Sequence, residues 1–352
     1  MKIRFAFAAL LVLGGFLLAA DYPIPPLPEA VSNNAVAMLK VHDELELFSL
    51  MGIGAKKTWE AVSNEAYEID TSTGKAYTIH AIPGTAGRIG AAAVGAADRV
   101  FLFGGYVIYQ GGGKAVPDAN IYEPAHDSWS RGADLPVAVG DAVIGVYHDR
   151  YIYLVGGRSN TGLISSVQMY DLDRKRWSQA TFIPGTPVFG HAGALVDDTI
   201  VYVDGAARNP SGNSPKYVAS DECWQGKINH HDPSRIEWTK LPSHPGTARF
   251  RIAAGGSEHD RMIYFTGGSD NPHDINGLGY DGKPSEPSPA TFAFNLQTGK
   301  WEMLNENTPD PAMDHRGLLA TREGLVVIGG MAKGQQVSAK VVLLSKTAAV
   351  KK

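Results

Sequence analysis

The chain has 352 residues, enough for one large core or two ordinary ones. Forty glycines, 14 tyrosines and 12 phenylalanines beside only 19% charged residues suit many short strands and tight turns, and argue against a helical bundle. A formal net charge of -4 excludes the broad basic field that gathers nucleic acid, and a single cysteine, Cys223, excludes an intramolecular disulfide.

The first twenty residues stand apart. Lys2 and Arg4 precede an unbroken apolar stretch at 5–18, and Ala19 and Ala20 offer small residues for cleavage before Asp21. The apolar run is shorter than the ~20 residues that a spanning helix needs. The sequence therefore predicts a signal peptide over 1–20, export to the periplasm or beyond, and no stable membrane anchor. No cysteine lies near the cut to carry a lipid.

From there one pattern recurs: an apolar run ending at a glycine, usually a pair. It reads LFSLMG at 47–52, VFLFGG at 100–105, IYLVGG at 152–157, IVYVDG at 200–205, IYFTGG at 263–268 and LVVIGG at 325–330. The last glycines lie 48 to 63 residues apart, a period that implies stacked supersecondary units. About ten residues before most of these runs comes another short apolar strand, at 91–94, 142–146, 192–196, 252–254 and 318–320. After each of the first five comes a polar loop and then a hairpin. Tyr122 and Trp129, Tyr170 and Trp177, and Phe294 and Trp301 are each seven apart around turn sequences, and Trp238 and Tyr77 fill the same role in less regular units. Each unit reads as a four-stranded antiparallel sheet, with the tryptophan packed between sheets and the glycine where backbones approach closely.

The diglycine followed by a spaced Tyr and Trp resembles the kelch repeat over nearly everything after residue 30. The resemblance implies an all-β, six-bladed kelch-type β-propeller, with blades at 30–83, 88–136, 137–184, 188–242, 247–308 and 313–346. The last unit has only one strand after its glycines, at 341–345, so residues 22–27 are expected to close the ring as its outer strand; 347–352 is a tail.

Antiparallel order puts the residues before each first strand and those after each glycine pair at one mouth of the central channel. The first set holds Asn33, Asn34, Arg88, Asp141, His191, Arg249, Arg251, His315 and Arg316; the second holds Tyr106, Arg158, Arg208 and Asp270. Such a ring of Arg, His and Asp suits an anionic small molecule, because guanidinium groups offer paired donors to carboxylate or phosphate. Asp141 and His191 are then the nearest acid–base candidates. The same side chains also suit a purely structural role, tying blades together across the channel.

Two insertions, 206–220 and 269–289, share that mouth, and the second is long enough for a functional loop or lid. Its Asp274, Asn276 and Gly277 match a helix-loop-helix calcium pattern only in part, since Pro272 and Lys283 occupy the first and last ligand positions. His230, His231 and Asp232 lack a spaced metal partner and read as a solvated turn, and Cys223 reads as a buried filler. No metal site and no cofactor is expected.

Among kelch proteins the layout most resembles the exported bacterial N-acetylneuraminate (sialic acid) epimerases, or mutarotases: a leader, six blades, and a long fifth-blade insertion before FAFNLQTGKW at 292–301. The resemblance implies an acidic sugar held at the mouth and exchange of epimers or anomers by proton transfer. The acid and arginine suspected in that family fall here on Ala206 and Gly212, so that pair is missing. The copper and cysteine-linked tyrosine of galactose oxidase, and the Glu-Asp-His series of specifier proteins, have no matching set; Glu123, Asp127 and Arg131 end in the wrong residue. Two functions stay open. One is a propeller that binds or processes an acidic sugar or other carbohydrate; the other is a non-catalytic module whose loops bind a protein or polysaccharide.

Overall fold

A computed structural model of the chain describes residues 24–41 and 44–347. Among them, regular structure is β-strand apart from three short 3-10 turns at Trp59–Ala61, Pro124–His126 and Lys333–Gln335. The predicted leader lies outside the described residues, and among those described no helix is long and apolar enough to cross a membrane.

The seven-residue spacing of the aromatic pairs is a hairpin register. Tyr122 faces Trp129, Tyr170 faces Trp177 and Phe294 faces Trp301 directly across their strand pairs. Adding the glycine-ended run and the apolar strand before it gives five four-stranded antiparallel sheets. Their innermost strands are Ala35–Val41, Ala92–Ala96, Val143–Tyr147, Ala192–Val196 and Ala253–Ser257. A sixth sheet has three strands, Leu319–Ala320, Leu325–Ile328 and Val341–Leu344. The inner strands touch one another in cyclic order, and Ala35–Val41 meets Leu319–Ala320, so the ring of six blades is closed.

Four indoles staple neighbouring blades. The ring N–H of Trp129, Trp177, Trp238 and Trp301 donates to the carbonyl of His80, Ala133, Thr181 and Pro242, each in the preceding blade. Tyr77 does not fill this role in the first blade, because its side chain stands 46% exposed on the outer strand. The cores lie between blades; one, for example, joins Phe48, Leu50 and Ala66 to Val100, Leu102 and Tyr122.

Closure at the chain ends differs in form from a regular ladder. Tyr22 and Pro23 lie outside the described residues, and residues 24–27 form no regular strand. The Leu27 N–H donates to Ala339 O at 2.8 Å and the Val31 N–H to Ser338 O at 3.1 Å. Leu27 and Val31 pack with Val326 and Ile328 of the last blade and with Leu47 and Ile69 of the first. Prolines at 23, 25, 26 and 28 remove the amide donors a ladder needs, which accounts for the irregular path.

Candidate functional site

Two residues before each of the first five inner strands, and five before the sixth, one residue takes the left-handed conformation: Asn33, Gly90, Asp141, Gly190, Arg251 and Asp314, with φ between 52° and 65°. These six turns form a hydrogen-bonded ring around the channel mouth. The Asp141 N–H donates to Gly90 O, Gly190 N–H to Asp141 O, Arg251 N–H to Gly190 O, His315 N–H to Arg251 O and Asn33 N–H to Asp314 O. The missing link is made by a side chain, since Gly90 N–H donates to Asn33 Oδ1 at 2.6 Å. Asn, Asp and Gly tolerate this conformation, whereas Arg251 adopts it against its steric preference.

The side chains of three ring residues, together with that of Arg316, converge on the axis. Arg251 reaches Asp314 Oδ1 at 2.6 Å and Asp141 Oδ2 at 3.3 Å, and Arg316 reaches Asp141 Oδ1 at 2.5 Å. Asp314 also accepts from Ser32 Oγ at 2.5 Å and Asn33 Nδ2 at 2.7 Å. Burial opposes ionisation of both carboxyls, but the arginines outweigh it and hold Asp141 below its usual range and Asp314 down to about 2. Two carboxylates and two guanidinium groups thus neutralise one another in a buried plug. Below it lies a channel of about 440 Å³, lined by inner-strand residues such as Ala93, Gly145, Ala194 and Gly255.

The residues that the sequence grouped at this mouth separate into three directions. Arg88 and Arg249 turn outward from the axis. Each donates to the carbonyl of the first residue of a glycine pair: Arg88 to Gly104 O at 2.8 Å, with Asn120 Oδ1 at 2.7 Å, and Arg249 to Gly267 O and Ala290 O, both at 3.3 Å. Both are buried and face away from any channel ligand; burial lowers Arg88 to about 10. Asn34, His191 and His315, each one residue after the ring position, enter the seams between blades. Asn34 donates to Ser49 Oγ and Ile328 O, and His191 Nε2 lies 2.9 Å from Val155 O. Burial pulls both histidines down to about 4, so their rings are neutral at pH 7.

Asp141 is an ionised hub of two ion pairs, and His191 is a weakly basic wedge held by a backbone carbonyl. Arg208 and Asp270 are exposed.

Above the plug the site has a different character. The Tyr106 ring lies against Gly90 and Gly140, and its hydroxyl donates to Arg158 O at 3.1 Å. The Arg158 guanidinium sits 5.7 Å from the Phe189 ring and 5.8 Å from the Tyr217 ring, and has no carboxylate partner among the described residues. Residues 269–289 fold over this spot: Tyr280 packs edge-on against Tyr217 at 5.1 Å, and His273 against Phe250 at 5.3 Å. Asp274 Oδ1 and Asn276 Oδ1 accept backbone N–H groups of their own turn. His230 contacts Tyr147 Oη at 2.9 Å, while Asn229 caps the N–H groups of His231 and Asp232 in a turn. Among the described residues no cluster of ligands suits a metal ion.

Sequence reasoning missed Asp314, Phe189, Tyr217, Tyr280 and His273 as individual residues. Asp314 had a readable signal: it stands in the same repeat position as Asp141, beside the selected His315 and Arg316.

The family model that matches is the Attractin/LZTR1 β-propeller, over residues 52–332. Among curated proteins the chain is similar to beta-scruin of Limulus polyphemus, 28% identical over 175 residues, which are 49% of this chain and 18% of that protein. It is also similar to Kelch-like protein 15 of Homo sapiens, 22% identical over 244 residues, 66% of this chain and 38% of that one. The chain thus spans well under half the length of these relatives. The solved structure of YjhT superposes with a TM-score of 0.72 at 18% identity, covering 94% of this chain and 99% of that one, a likeness of fold.

Proposed function

From the premise that the chain belongs to the Attractin/LZTR1 β-propeller family, we propose that it is an exported binding protein for a small acidic sugar at the covered channel mouth. One observation carries this reading. Arg251 and Arg316 are neutralised by Asp141 and Asp314, and Arg88 and Arg249 are committed to blade carbonyls, whereas Arg158 has no carboxylate partner among the described residues and lies beside Tyr106, Tyr217 and Tyr280. A planar fork beside tyrosine rings suits a sugar carboxylate with an apolar ring face. With Asp141 and His191 built into the scaffold, the reading is one of binding, with no epimerising acid–base pair assigned.

The test is calorimetric titration of the mature protein with galacturonic, glucuronic and N-acetylneuraminic acids, and with galactose as neutral control. Saturable binding of an acid that Arg158→Ala abolishes supports the reading. No binding of any acid by the wild type, or binding indifferent to Arg158→Ala, overturns it.

A second reading, a loop surface that binds a protein or polysaccharide, draws on a separate observation. Tyr109, on the projecting Tyr106–Tyr109/Gly112–Ala115 hairpin, is 52% exposed, and Trp59 on the adjoining 3-10 turn is 42% exposed. Tyr109→Ala with Trp59→Ala would abolish such binding and leave the acidic-sugar titration unchanged.

A further inference from the structure

The blade-four insertion carries two more cations without a carboxylate partner among the described residues. Arg208 pairs across its hairpin with Tyr217, and Lys216 precedes that tyrosine; both are exposed, and neither has a carboxylate partner among the described residues. They line a cleft of about 370 Å³ together with Asn209, Asn213, Ser214 and Tyr280. The cleft is built, not a loose loop. Asn209 Nδ2 donates to Pro215 O at 2.9 Å, and its Oδ1 accepts from the Ser211 N–H and hydroxyl at 3.0 and 2.8 Å.

This cleft adjoins the Arg158 spot through shared aromatic walls. Tyr217 has Arg158 at 5.8 Å and Lys216 at 5.4 Å from its ring centroid, so the two cations stand no more than about 11 Å apart. Tyr280 packs on Tyr217 and lines the outer cleft as well. The arrangement is therefore cation, aromatic wall, cation, with amide and hydroxyl groups along the outer half.

We propose that the mouth takes a linear acidic oligosaccharide, with one anionic residue at Arg158 and the next in the cleft between Arg208 and Lys216. The inference rests on the reading of Arg158 as an anion site and extends it from one charged ring to two. Linking the two residues makes the second contact intramolecular, so affinity rises steeply with chain length where the geometry allows both. Charge contacts on exposed cations also weaken with salt, more so for the longer ligand.

The experiment is titration of the full mature chain with galacturonic acid, digalacturonic acid and the methyl-esterified dimer, in wild type and in Arg208→Ala/Lys216→Ala. Both substituted residues are exposed, so the fold is retained. The expected result is a wild-type affinity ratio of dimer to monomer of about tenfold or more. That ratio should fall to about one in the double variant, and the esterified dimer, which lacks both carboxylates, should not bind at all. A wild-type ratio near one overturns the inference and leaves the Arg158 reading standing, provided the monomer binds and Arg158→Ala abolishes it. A ratio unchanged in the double variant also overturns it. Failure of the wild type to bind either ligand overturns both.

Discussion

Replacing Asp141 with alanine removes the shared acceptor of Arg251 and Arg316 at a position 1% exposed. Arg251 keeps Asp314 at 2.6 Å, but Arg316 keeps only a contact to its neighbour's carbonyl, His315 O at 2.7 Å. Breaking a buried pair by deleting one partner costs about 3–5 kcal/mol, because the remaining charge is left desolvated. Unfolding entropy near 2.1 cal/mol/K per residue gives roughly 0.7 kcal/mol/K for a chain of this length, so the thermal midpoint should fall by about 4–7 °C. Scanning fluorimetry or circular dichroism reads that shift. The double variant Asp141→Ala/Arg316→Ala should lose less than the sum of the single variants, by about 1–3 kcal/mol, since it removes the orphaned charge too. A loss under about 1 kcal/mol for Asp141→Ala, or strict additivity in the cycle, would refute the view of the plug as a coupled structural network.

Other consequences follow from the same geometry. Burial holds His191 and His315 at about 4, below their unfolded value near 6.5. The unfolded chain then binds protons first, so stability present above pH 6.5 is lost as pH falls toward 4. His191→Asn, which mimics the wedge made by Asn34, should flatten that acid limb in equilibrium unfolding across pH 4–7. Glu46 runs the other way. Burial first, then Asp70, Glu68 and Glu44, raise it to about 7, so its contribution is present at low pH and is lost as pH rises from 4.5 through 7. Glu46→Gln should therefore raise stability above pH 7 by about 1–2 kcal/mol after screening, read as a higher midpoint, and leave it unchanged near pH 4.5. A Cβ on Gly267, at φ 70°, would strike Ala312 O in the next blade. Gly267→Ala should cost about 2–4 kcal/mol, measurable as an earlier unfolding midpoint, whereas Gly299→Ala in an open hairpin turn, with nothing within 4 Å, should cost less.

The blades were legible because their signals are local. Cross-strand aromatics seven residues apart, and apolar runs ending at glycine, specify hairpins and sheet edges without reference to distant parts of the chain. The inner strand expected at 192–196 is Ala192–Val196 in the structure, while its neighbours begin one residue later than expected. The mouth was legible only as a set of residues, since antiparallel order locates backbone and says little about side-chain direction. Three consecutive roles are packed into four residues: Arg249 turns out to a carbonyl, Arg251 takes the ring position and points to the axis, and the next residue enters the seam. Reading them required the left-handed turn at each blade, and its residues, Asn, Gly, Asp, Gly, Arg and Asp, share no simple sequence signature. Arg158 was within reach of sequence reasoning, but its freedom was not. Only the structure shows that Arg88, Arg249, Arg251 and Arg316 are already paired or bonded.

The mouth arginines divide into scaffold and ligand contacts, and one comparison tests that division. The thermal midpoints of Arg249→Ala and Arg158→Ala would be measured without ligand and with saturating galacturonic acid. At about 100 times its dissociation constant a ligand adds about 2.7 kcal/mol. Arg249→Ala should lower the ligand-free midpoint yet keep the ligand-induced rise; Arg158→Ala should keep the midpoint and lose the rise. The reverse pattern, with Arg158→Ala unfolding early and Arg249→Ala insensitive to the acid, would contradict the account.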